Sequence, residues 1–324
     1  MNLKRTIYSL PSLQLVIVGL FFLILIGTIW IYWIGLHGAY LLDDTPNLNS
    51  LTDINESSNK FIEIVRFSIE GIASRLGRPI SLVTFALQTH YWQETVWHFR
   101  YVNLMIHLLN GCLIFWIFLY ITRIMALPEK RGLWLALLTA SLWLLHPFQV
   151  STVLYIIQRM TELSTLFTLA ALLIYVRSRY QFAQGRLTPT VFWIFISIGI
   201  GLGGILATLS KENGVLLVLY VLVLEATVLR SLPKPRYWKI WSGVFLYFPL
   251  LLLASYFIVN FDSILGNYDI RHFTLVERLL TQTRILSEYL FKILIPQPHT
   301  YGLFHDDFTV SRSLLTPITT VFTV

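Results

Sequence analysis

Two adjacent carboxylates, Asp43 and Asp44, follow directly on the first long apolar stretch of the chain, Leu13–Leu36. Pro46 comes two residues later, which predicts a loop and not a continued helix. Acidic side chains at the end of a membrane helix commonly pair with a cation, bind a metal or take a proton. The sequence therefore makes this pair a candidate general base, and the alternative is a solvated turn.

Two basic residues, Arg159 and Lys211, stand near the ends of later apolar stretches. Arginine offers a rigid fork of donors that suits phosphate, and lysine offers a compact cation. Each residue alone could equally be an anchor that extends its charge to the membrane surface. If both lie in the layer of the acidic pair, the combination indicates a phosphate-bearing substrate beside a carboxylate base.

Polar residues also recur on one face of the apolar segment that follows residue 100. Arg100, Asn103, His107 and Asn110 keep the spacing i, i+3, i+7, i+10, which places them on one side of a helix. Polar groups in membrane helices generally face the interior of the helix bundle. They are either site residues or a hydrogen-bonded stripe that joins helices, and the sequence leaves both open.

Three further candidates lie beside these groups. His146 precedes the helix-ending Pro147, so it is either a site residue or a cap on the last carbonyl groups of its helix. Gln158 and Glu212 are the immediate chain neighbours of the two candidate cations.

The composition sets the fold class that must position these residues. Of the 324 residues, 56% are hydrophobic and 13% are charged, against about 45–50% and about 25% in soluble domains. The apolar residues gather in runs near the length that crosses a bilayer, which predicts an all-α polytopic membrane protein and not a β-barrel. The single Cys112 excludes a disulfide framework within the chain.

We predict about seven transmembrane helices and a partial eighth that begins at Leu314. The predicted spans are Leu13–Leu36, Tyr101–Thr122, Leu133–His146, the membrane part of Thr152–Val176, Val191–Leu209, Gly214–Leu229 and Tyr237–Val259. Residues 37–98 and 260–312 are predicted to be two outer loops that carry amphipathic surface helices. These helices are expected at Asn59–Leu76, Ser81–Trp92 and Leu275–Ile295.

The basic residues predict the orientation of these helices. Segments 1–12, 123–132, 177–187 and 230–239 together hold 12 of the 24 Lys and Arg residues and one acid, Glu129. Because cytoplasmic loops collect positive charge, we predict a multi-pass protein of the cytoplasmic membrane with a cytoplasmic N-terminus. The acidic pair, His146, Arg159 and Lys211 then share the outer face. The net charge of +7 reflects this topology, so no nucleic-acid partner is expected.

A series of short motifs resembles the GT-C superfamily of membrane glycosyltransferases. Within it, the chain looks like relatives of the protein O-mannosyltransferases, especially the transmembrane-and-tetratricopeptide (TMTC-like) group and its bacterial counterparts. The motifs cover about residues 35–310 in family order. They are Asp43-Asp44, Arg78-Pro79, His98-Phe99-Arg100-Tyr101-Val102-Asn103 with His107 and Asn110, His146-Pro147-Phe148-Gln149, Gln158-Arg159, Ser210-Lys211-Glu212, and Leu280-Thr281-Gln282 through Tyr289-Leu290.

The resemblance implies one GT-C-like domain over residues 1–324, with the catalytic acid in the first outer loop and a polyprenyl-phosphate-linked sugar as donor. The implied reaction is an inverting transfer to a protein Ser or Thr, a pilin or a surface glycan. Asp43 or Asp44 would be the base, and Arg159 and Lys211 would hold the leaving phosphate. No cofactor is implied beyond a divalent cation at Asp43 and Asp44, which stays open.

Family members usually continue through several more membrane helices, so the resemblance also predicts that this chain is truncated, split or inactive alone. Two other classes of function stay open at this point. One is a non-catalytic membrane scaffold. The other is a transporter or flippase of lipid-linked sugars, which would be expected to show broken helices at the middle of the membrane and internal repeats.

Overall fold

The computed structural model describes residues 10–71, 77–266, 268, 271–297 and 308–323. Its regular structure consists of α-helices, short 3-10 turns and one π-helical turn, and the residues so described contain no β-strand. The predicted all-α class is confirmed.

The α-helices are numbered in chain order. They are α1 (Leu10–Trp33), α2 (Asp44–Leu48), α3 (Leu51–Glu56), α4 (Lys60–Glu70), α5 (Pro79–Ala86), α6 (Trp97–Ile124), α7 (Glu129–Leu145), α8 (Val150–Leu154), α9 (Arg159–Ala183), α10 (Pro189–Ser210), α11 (Leu217–Ala226), α12 (Trp238–Ser242), α13 (Phe248–Val259), α14 (Phe261–Gly266) and α15 (Leu275–Leu294).

Five helical segments in the described part of the chain are long and apolar enough to cross a membrane, which confirms a polytopic protein. They are Ser12–His37, Trp97–Ile124, Ile156–Ala183, Pro189–Ser210 and Trp238–Val259. A sixth span exists if Glu129–Leu145 and Pro147–Leu154 are counted together, because these two segments are bent by 47° at the break between them. Pro147 explains this break, since proline cannot continue a helix from the preceding turn.

The predicted span Gly214–Leu229 is shorter in the structure than the sequence suggested. Its first residues form a 3-10 turn, Glu212–Leu216, and only the ten residues of α11 are α-helical. Ten residues rise about 15 Å, roughly half of the hydrocarbon thickness. The helix ends where Thr227 leaves helical geometry at φ −113° and ψ −92°.

The partial eighth helix is not found in the described residues either. The chain after Leu314 forms a turn closed by a bridge between Ser313 and Thr316, followed by the 3-10 turn Ile318–Thr320. Pro317 lies between them, and a proline at this position removes a backbone donor that a helix would need.

The described residues form two compact units. The first unit takes the residues up to Leu145 and Gln149–Leu246, and the second takes His146–Phe148 and the residues from Tyr247 onward. These units do not test the single domain predicted over residues 1–324, which stays a prediction.

In the first unit, α9 packs against α6 and α10, and α7 packs against α1 and α6. Gly203 allows the close approach of α10 to α9, because a Cβ atom there would lie 2.7 Å from the Cβ of Ala171. Small residues at such crossings let membrane helices gain packing contacts that lipid does not offer.

The short helices α2 to α5 cover one end of this helix bundle. Leu51, Leu82, Phe85 and Phe99 belong to one buried apolar cluster that joins these helices to α6. Burying a side chain of this size is worth about 1.5–3 kcal/mol. The predicted surface helix Asn59–Leu76 corresponds to α4, and its residues 72–76 lie outside the described part of the chain. The cluster fixes the layer in which the candidate site lies.

The second unit contains α15, which matches the predicted surface helix Leu275–Ile295. Thr274 caps it, since its side chain accepts the N–H of Glu277 while the Glu277 carboxylate accepts the N–H of Thr274. This reciprocal arrangement satisfies two backbone donors that a helix start leaves unpaired.

Candidate functional site

The acidic pair lies where the loop after α1 meets α2, since Asp43 precedes this helix and Asp44 is its first residue. The loop predicted at Pro46 is therefore wrong, because proline is tolerated in the first turn of a helix. Leu42, directly before the pair, has a positive φ of 35°, a left-handed conformation that a leucine rarely adopts. This turn sends the next two side chains into different environments: Asp43 is exposed, whereas Asp44 is fully buried. The two carboxylates, which the sequence could hardly distinguish, are therefore not equivalent.

Asp44 joins two distant parts of the chain. Its Oδ2 accepts the backbone N–H of Leu41 at 2.9 Å, and its Oδ1 accepts the backbone N–H of Ile157 at 2.9 Å. Burial raises the pKa of Asp44, while the two N–H groups and the charge of Arg100 act in the opposite direction. A carboxylate with both oxygens occupied in this way holds structure in place.

Asp43 stays at the surface and is held through its backbone. Its N–H donates to the hydroxyl of Tyr155 at 2.9 Å, and its carbonyl accepts the side-chain amide of Asn47 at 2.8 Å. The carboxylate is exposed, and the backbone that carries it is held on both sides. An accessible carboxylate at a fixed position is suited to accept a proton.

Arg100 fastens the end of α1. Its guanidinium donates to the carbonyls of Leu154 at 2.6 Å and Gly35 at 3.2 Å, and it also bonds to the carbonyl of Ala39. The side chain is 2% exposed. Arg100 thus joins α6 to the loop that carries the acidic pair, and it acts on Asp44 through its charge.

Asn103 lies one turn further along α6 and holds the break before α9. Its side-chain amide donates to the carbonyls of Val153, Tyr155 and Ile156 at 3.2–3.4 Å. The backbone of Tyr155 is extended there, at φ −91° and ψ 112°, so this stretch could not satisfy its carbonyls within a helix. Asn103 replaces the missing helical bonds.

Arg159 is fully buried at the start of α9. It donates to Oδ1 of Asn103 at 2.9 Å and to the carbonyls of Phe99 at 2.8 Å and Thr84 at 3.2 Å. Its guanidinium also stacks 4.3 Å above the ring of Phe85. Arg159 therefore joins α5, α6 and α9, and it has no surface open to a ligand in this structure.

Lys211 belongs to a half-buried polar cluster, which we call the Lys211 cluster. Its Nζ donates to the hydroxyl of Thr161 at 2.6 Å, and Thr161 donates to Oε1 of Gln158 at 2.6 Å. Arg78 and Glu212 complete the cluster through two nitrogens of the guanidinium at 2.9–3.1 Å. Burial, followed by the charge of Arg78, lowers the pKa of Lys211.

Local backbone geometry presents this cluster. Arg78 has a positive φ of 50° and directly precedes Pro79, the first residue of α5. Gly214 allows the tight turn after Lys211, because a Cβ atom there would lie 2.2 Å from the backbone carbon of Ala207. A left-handed conformation at a non-glycine residue such as Arg78 costs about 1–3 kcal/mol, and such residues concentrate at functional sites.

His107 follows Asn103 by one turn on α6 and is equally buried. Its Nε2 donates to the carbonyl of Leu144 at 3.0 Å, and its ring stacks on Trp143 with centroids 4.6 Å apart. Asn110, one turn further, donates to the carbonyl of Glu162 at 3.2 Å. These contacts favour the hydrogen-bonded stripe between helices over a role in the site for this half of the polar face.

His146 belongs to the second unit. Its Nε2 donates to the carbonyl of Ile293 at 3.0 Å, and its Nδ1 accepts the N–H of Phe148 at 3.1 Å. Both ring nitrogens thus have backbone partners within that unit.

The structure brings most of the candidates together around one segment, residues 155–161. The residues that meet this segment are Asp43, Asp44, Arg78, Asn103 and Lys211, and the segment itself supplies Gln158 and Arg159. The sequence reasoning missed Tyr155 and Thr161, whose hydroxyl groups make two of these contacts. Both residues lie close to the Gln158-Arg159 motif in the chain, and this proximity is the sequence signal that could have identified them.

Among the described residues, no group of three or more His, Cys, Asp or Glu side chains is arranged to hold a metal ion. A divalent cation at Asp43 would therefore take most of its ligands from water or substrate. The expectation of a cation at the acidic pair stays a prediction.

Comparison with known proteins gives partial matches. The chain is similar to part of TMTC1. Mouse protein O-mannosyl-transferase TMTC1 is 31% identical over 141 residues, which are 43% of this chain and 14% of the mouse protein. The human protein of the same name is 32% identical over 147 residues, which are 45% of this chain and 16% of the human protein. The match to each relative thus covers about one-seventh of its length, and no family model or solved structure matches the chain.

Proposed function

We propose that this protein is a glycosyltransferase that moves a sugar from a polyprenyl-phosphate donor to an acceptor hydroxyl. One observation carries the proposal. An accessible carboxylate, Asp43, is fixed on a loop that shares the segment 155–161 with the cationic Lys211 cluster. The partial likeness to proteins named protein O-mannosyl-transferases supports the same class of reaction.

The reaction that fits these groups is a single inverting displacement. Asp43 accepts the proton of the acceptor hydroxyl, and the oxygen attacks the anomeric carbon of the sugar. The bond between that carbon and the phosphate oxygen breaks, and the polyprenyl phosphate leaves with the electron pair. Charge grows on this phosphate as the bond breaks, so a fixed cation lowers the barrier.

Lys211 is the cation that we assign to the donor phosphate. An ammonium carries three N–H bonds, and Thr161 accepts one of them in this structure. The half-buried setting strengthens electrostatic attraction relative to a fully solvated lysine. Arg78 and Glu212 hold each other on the other side of the cluster and fix the turn from which Lys211 projects.

Arg159 takes a different role in this proposal from the one that the family resemblance implied. Its guanidinium donates to Asn103, Phe99 and Thr84, and the side chain is fully buried. We therefore assign Arg159 as a positioning residue that holds Asn103 and the start of α9, and not as a phosphate ligand. Asp44 has the corresponding positioning role for the loop that carries Asp43.

The proposed acceptor is a protein Ser or Thr, a pilin or a surface glycan outside the cytoplasmic membrane. The basic loops support this orientation, because the positive-inside rule predicts a cytoplasmic N-terminus and an Asp43 on the outer face. The acceptor thus reaches the site from outside, while the donor lipid stays in the bilayer.

A transfer assay with purified protein in nanodiscs tests the proposal. Synthetic polyprenyl-phosphate mannose and polyprenyl-phosphate glucose serve as donors, and a Ser/Thr-rich peptide and cell-surface glycans serve as acceptors. The expected result is an acceptor that gains one hexose together with released polyprenyl phosphate. A thermal unfolding measurement first verifies that the purified protein is folded. The proposal would be contradicted if this folded protein transferred sugar from neither donor to any acceptor. Movement of intact donor across a vesicle membrane would instead favour the flippase.

A further inference from the structure

Tyr155 lies at the break between α8 and the 3-10 turn Ile156–Gln158 that leads into α9. Its ring is 7% exposed and belongs to the apolar cluster that contains Leu51 and Phe99. The extended backbone at this residue turns the phenol away from the helix axis and toward the loop after α1. A buried ring thus presents its hydroxyl group to Asp43, 112 residues earlier in the chain.

The hydroxyl anchors the backbone of Asp43. Its oxygen accepts the backbone N–H of Asp43 at 2.9 Å. A phenol oxygen can accept such a bond while its own O–H remains a donor. Burial and the nearby carboxylates of Asp43 and Asp44 raise the pKa of Tyr155, which keeps the O–H in place.

We propose that Tyr155 is the positioning residue for Asp43, an inference that rests on the proposed function of Asp43 as the base. The Asp43 carboxylate is exposed, so the position from which it reaches an acceptor is set by the backbone of Asp43. The hydroxyl of Tyr155 holds that backbone through the bond to the Asp43 N–H. The buried ring makes this hydrogen-bond acceptor rigid, because its packing in the apolar cluster fixes the side chain.

The test compares Tyr155→Phe with Tyr40→Phe. Tyr155→Phe keeps the buried ring and removes only the hydroxyl. Tyr40 is a matched control, because its hydroxyl also accepts one backbone N–H, that of Gln93 at 3.3 Å, and its ring packs on the same apolar cluster. The kcat for transfer, the KM for polyprenyl-phosphate mannose and the midpoint of thermal unfolding are measured for both variants.

We expect Tyr155→Phe to lower kcat by about 10–100-fold, the scale of a misplaced catalytic group. The donor KM should stay within about twofold of the wild type, because the donor phosphate is assigned to Lys211 and not to this hydroxyl. Adding Tyr155→Phe to Asp43→Asn should cause no further loss, since the group that Tyr155 orients is then already absent. Tyr40→Phe should leave kcat near that of the wild type.

Two outcomes would overturn the inference while the proposed function stands. One is a kcat for Tyr155→Phe equal to that of Tyr40→Phe in an active enzyme. The other is the same fractional loss in the Asp43→Asn background, which would make Tyr155 a structural residue that acts independently of the base. If the wild type transfers no sugar from either donor, the proposed function fails first and the positioning role fails with it.

Discussion

Asp44 and Ile157 are 113 residues apart in the chain, and Oδ1 of Asp44 accepts the backbone N–H of Ile157 at 2.9 Å. With the second bond to Leu41, this carboxylate joins the loop after α1 to the start of α9. The neighbouring Asp43 is thereby held at the surface. One acid of the pair maintains the geometry, and the other is available for chemistry.

Replacement of Asp44 tests the structural half of this division. Asp44→Ala leaves the N–H groups of Leu41 and Ile157 without their acceptor, and an unsatisfied buried donor costs about 1–3 kcal/mol. We expect a clear fall in the midpoint of thermal unfolding in detergent. Asp53→Ala is the control, because Asp53 is exposed on α3, and it should change the midpoint little. Equal midpoints for the two variants would contradict the assigned role of Asp44.

Arg159 should behave as a residue of the folded core. Arg159→Ala removes the donor that three buried or partly buried oxygens share, those of Asn103, Phe99 and Thr84. Breaking a buried charged contact of this kind typically costs about 3–5 kcal/mol. We expect a low yield of folded protein, measured by size-exclusion chromatography, whereas the exposed Arg186→Ala should match the wild type. Normal folding combined with weakened donor binding would instead restore Arg159 as a phosphate ligand.

Much of this architecture was predictable, because apolar runs and basic loops follow from the solvent on each side of a membrane. Composition and run length were sufficient for the all-α polytopic class. They did not predict the short α11, because hydropathy does not register the tight 3-10 turn at Glu212 or the departure of Thr227 from helical geometry.

The site was predictable in its residues more than in their roles. The short motifs identified Asp43, Asp44, Arg159 and Lys211. The sequence alone does not show which of these side chains are buried. Only three-dimensional contacts separate the exposed Asp43 from the buried Asp44, and the buried Arg159 from the half-buried Lys211. Tyr155 was missed because its hydroxyl reaches a loop far away in the chain, and local spacing does not reveal such a contact.

The pH dependence of donor binding tests the role of Lys211. Its lowered pKa means that the ammonium loses its proton, and its attraction for phosphate, at a lower pH than an ordinary lysine. The same shift affects folding, because burial disfavours the charged form of Lys211 in the folded protein. The stability linked to Lys211 is therefore present above the ordinary lysine pKa and is lost as the pH falls through the lowered pKa. We expect binding of polyprenyl-phosphate mannose to weaken on the alkaline side, measured by tryptophan fluorescence.

Lys211→Arg provides the control for this profile, because arginine keeps its charge throughout the accessible pH range. The alkaline loss of binding should be absent or moved to higher pH in this variant. An identical alkaline limb in both proteins would show that another group titrates, and Lys211 would then be removed from the phosphate site.

Cysteine labelling tests the predicted orientation. In a background with Cys112→Ser, Asn49→Cys and Gln184→Cys place single thiols at exposed positions on opposite sides of the predicted membrane topology. We expect a membrane-impermeant maleimide to label Asn49→Cys in intact cells and Gln184→Cys only after the cells are opened. Labelling of Gln184→Cys from outside would reverse the topology and place Asp43 on the cytoplasmic face.

The most direct measurement of the central claim is the rate of sugar transfer by Asp43→Asn, compared with the binding of the same donor. Asparagine keeps the size of the side chain and removes the proton acceptor. We predict that transfer falls by roughly 10²–10⁴-fold, the usual scale for loss of a general base, while donor affinity and the unfolding midpoint stay near those of the wild type. Transfer by Asp43→Asn at the wild-type rate would contradict the assignment of Asp43 as the base.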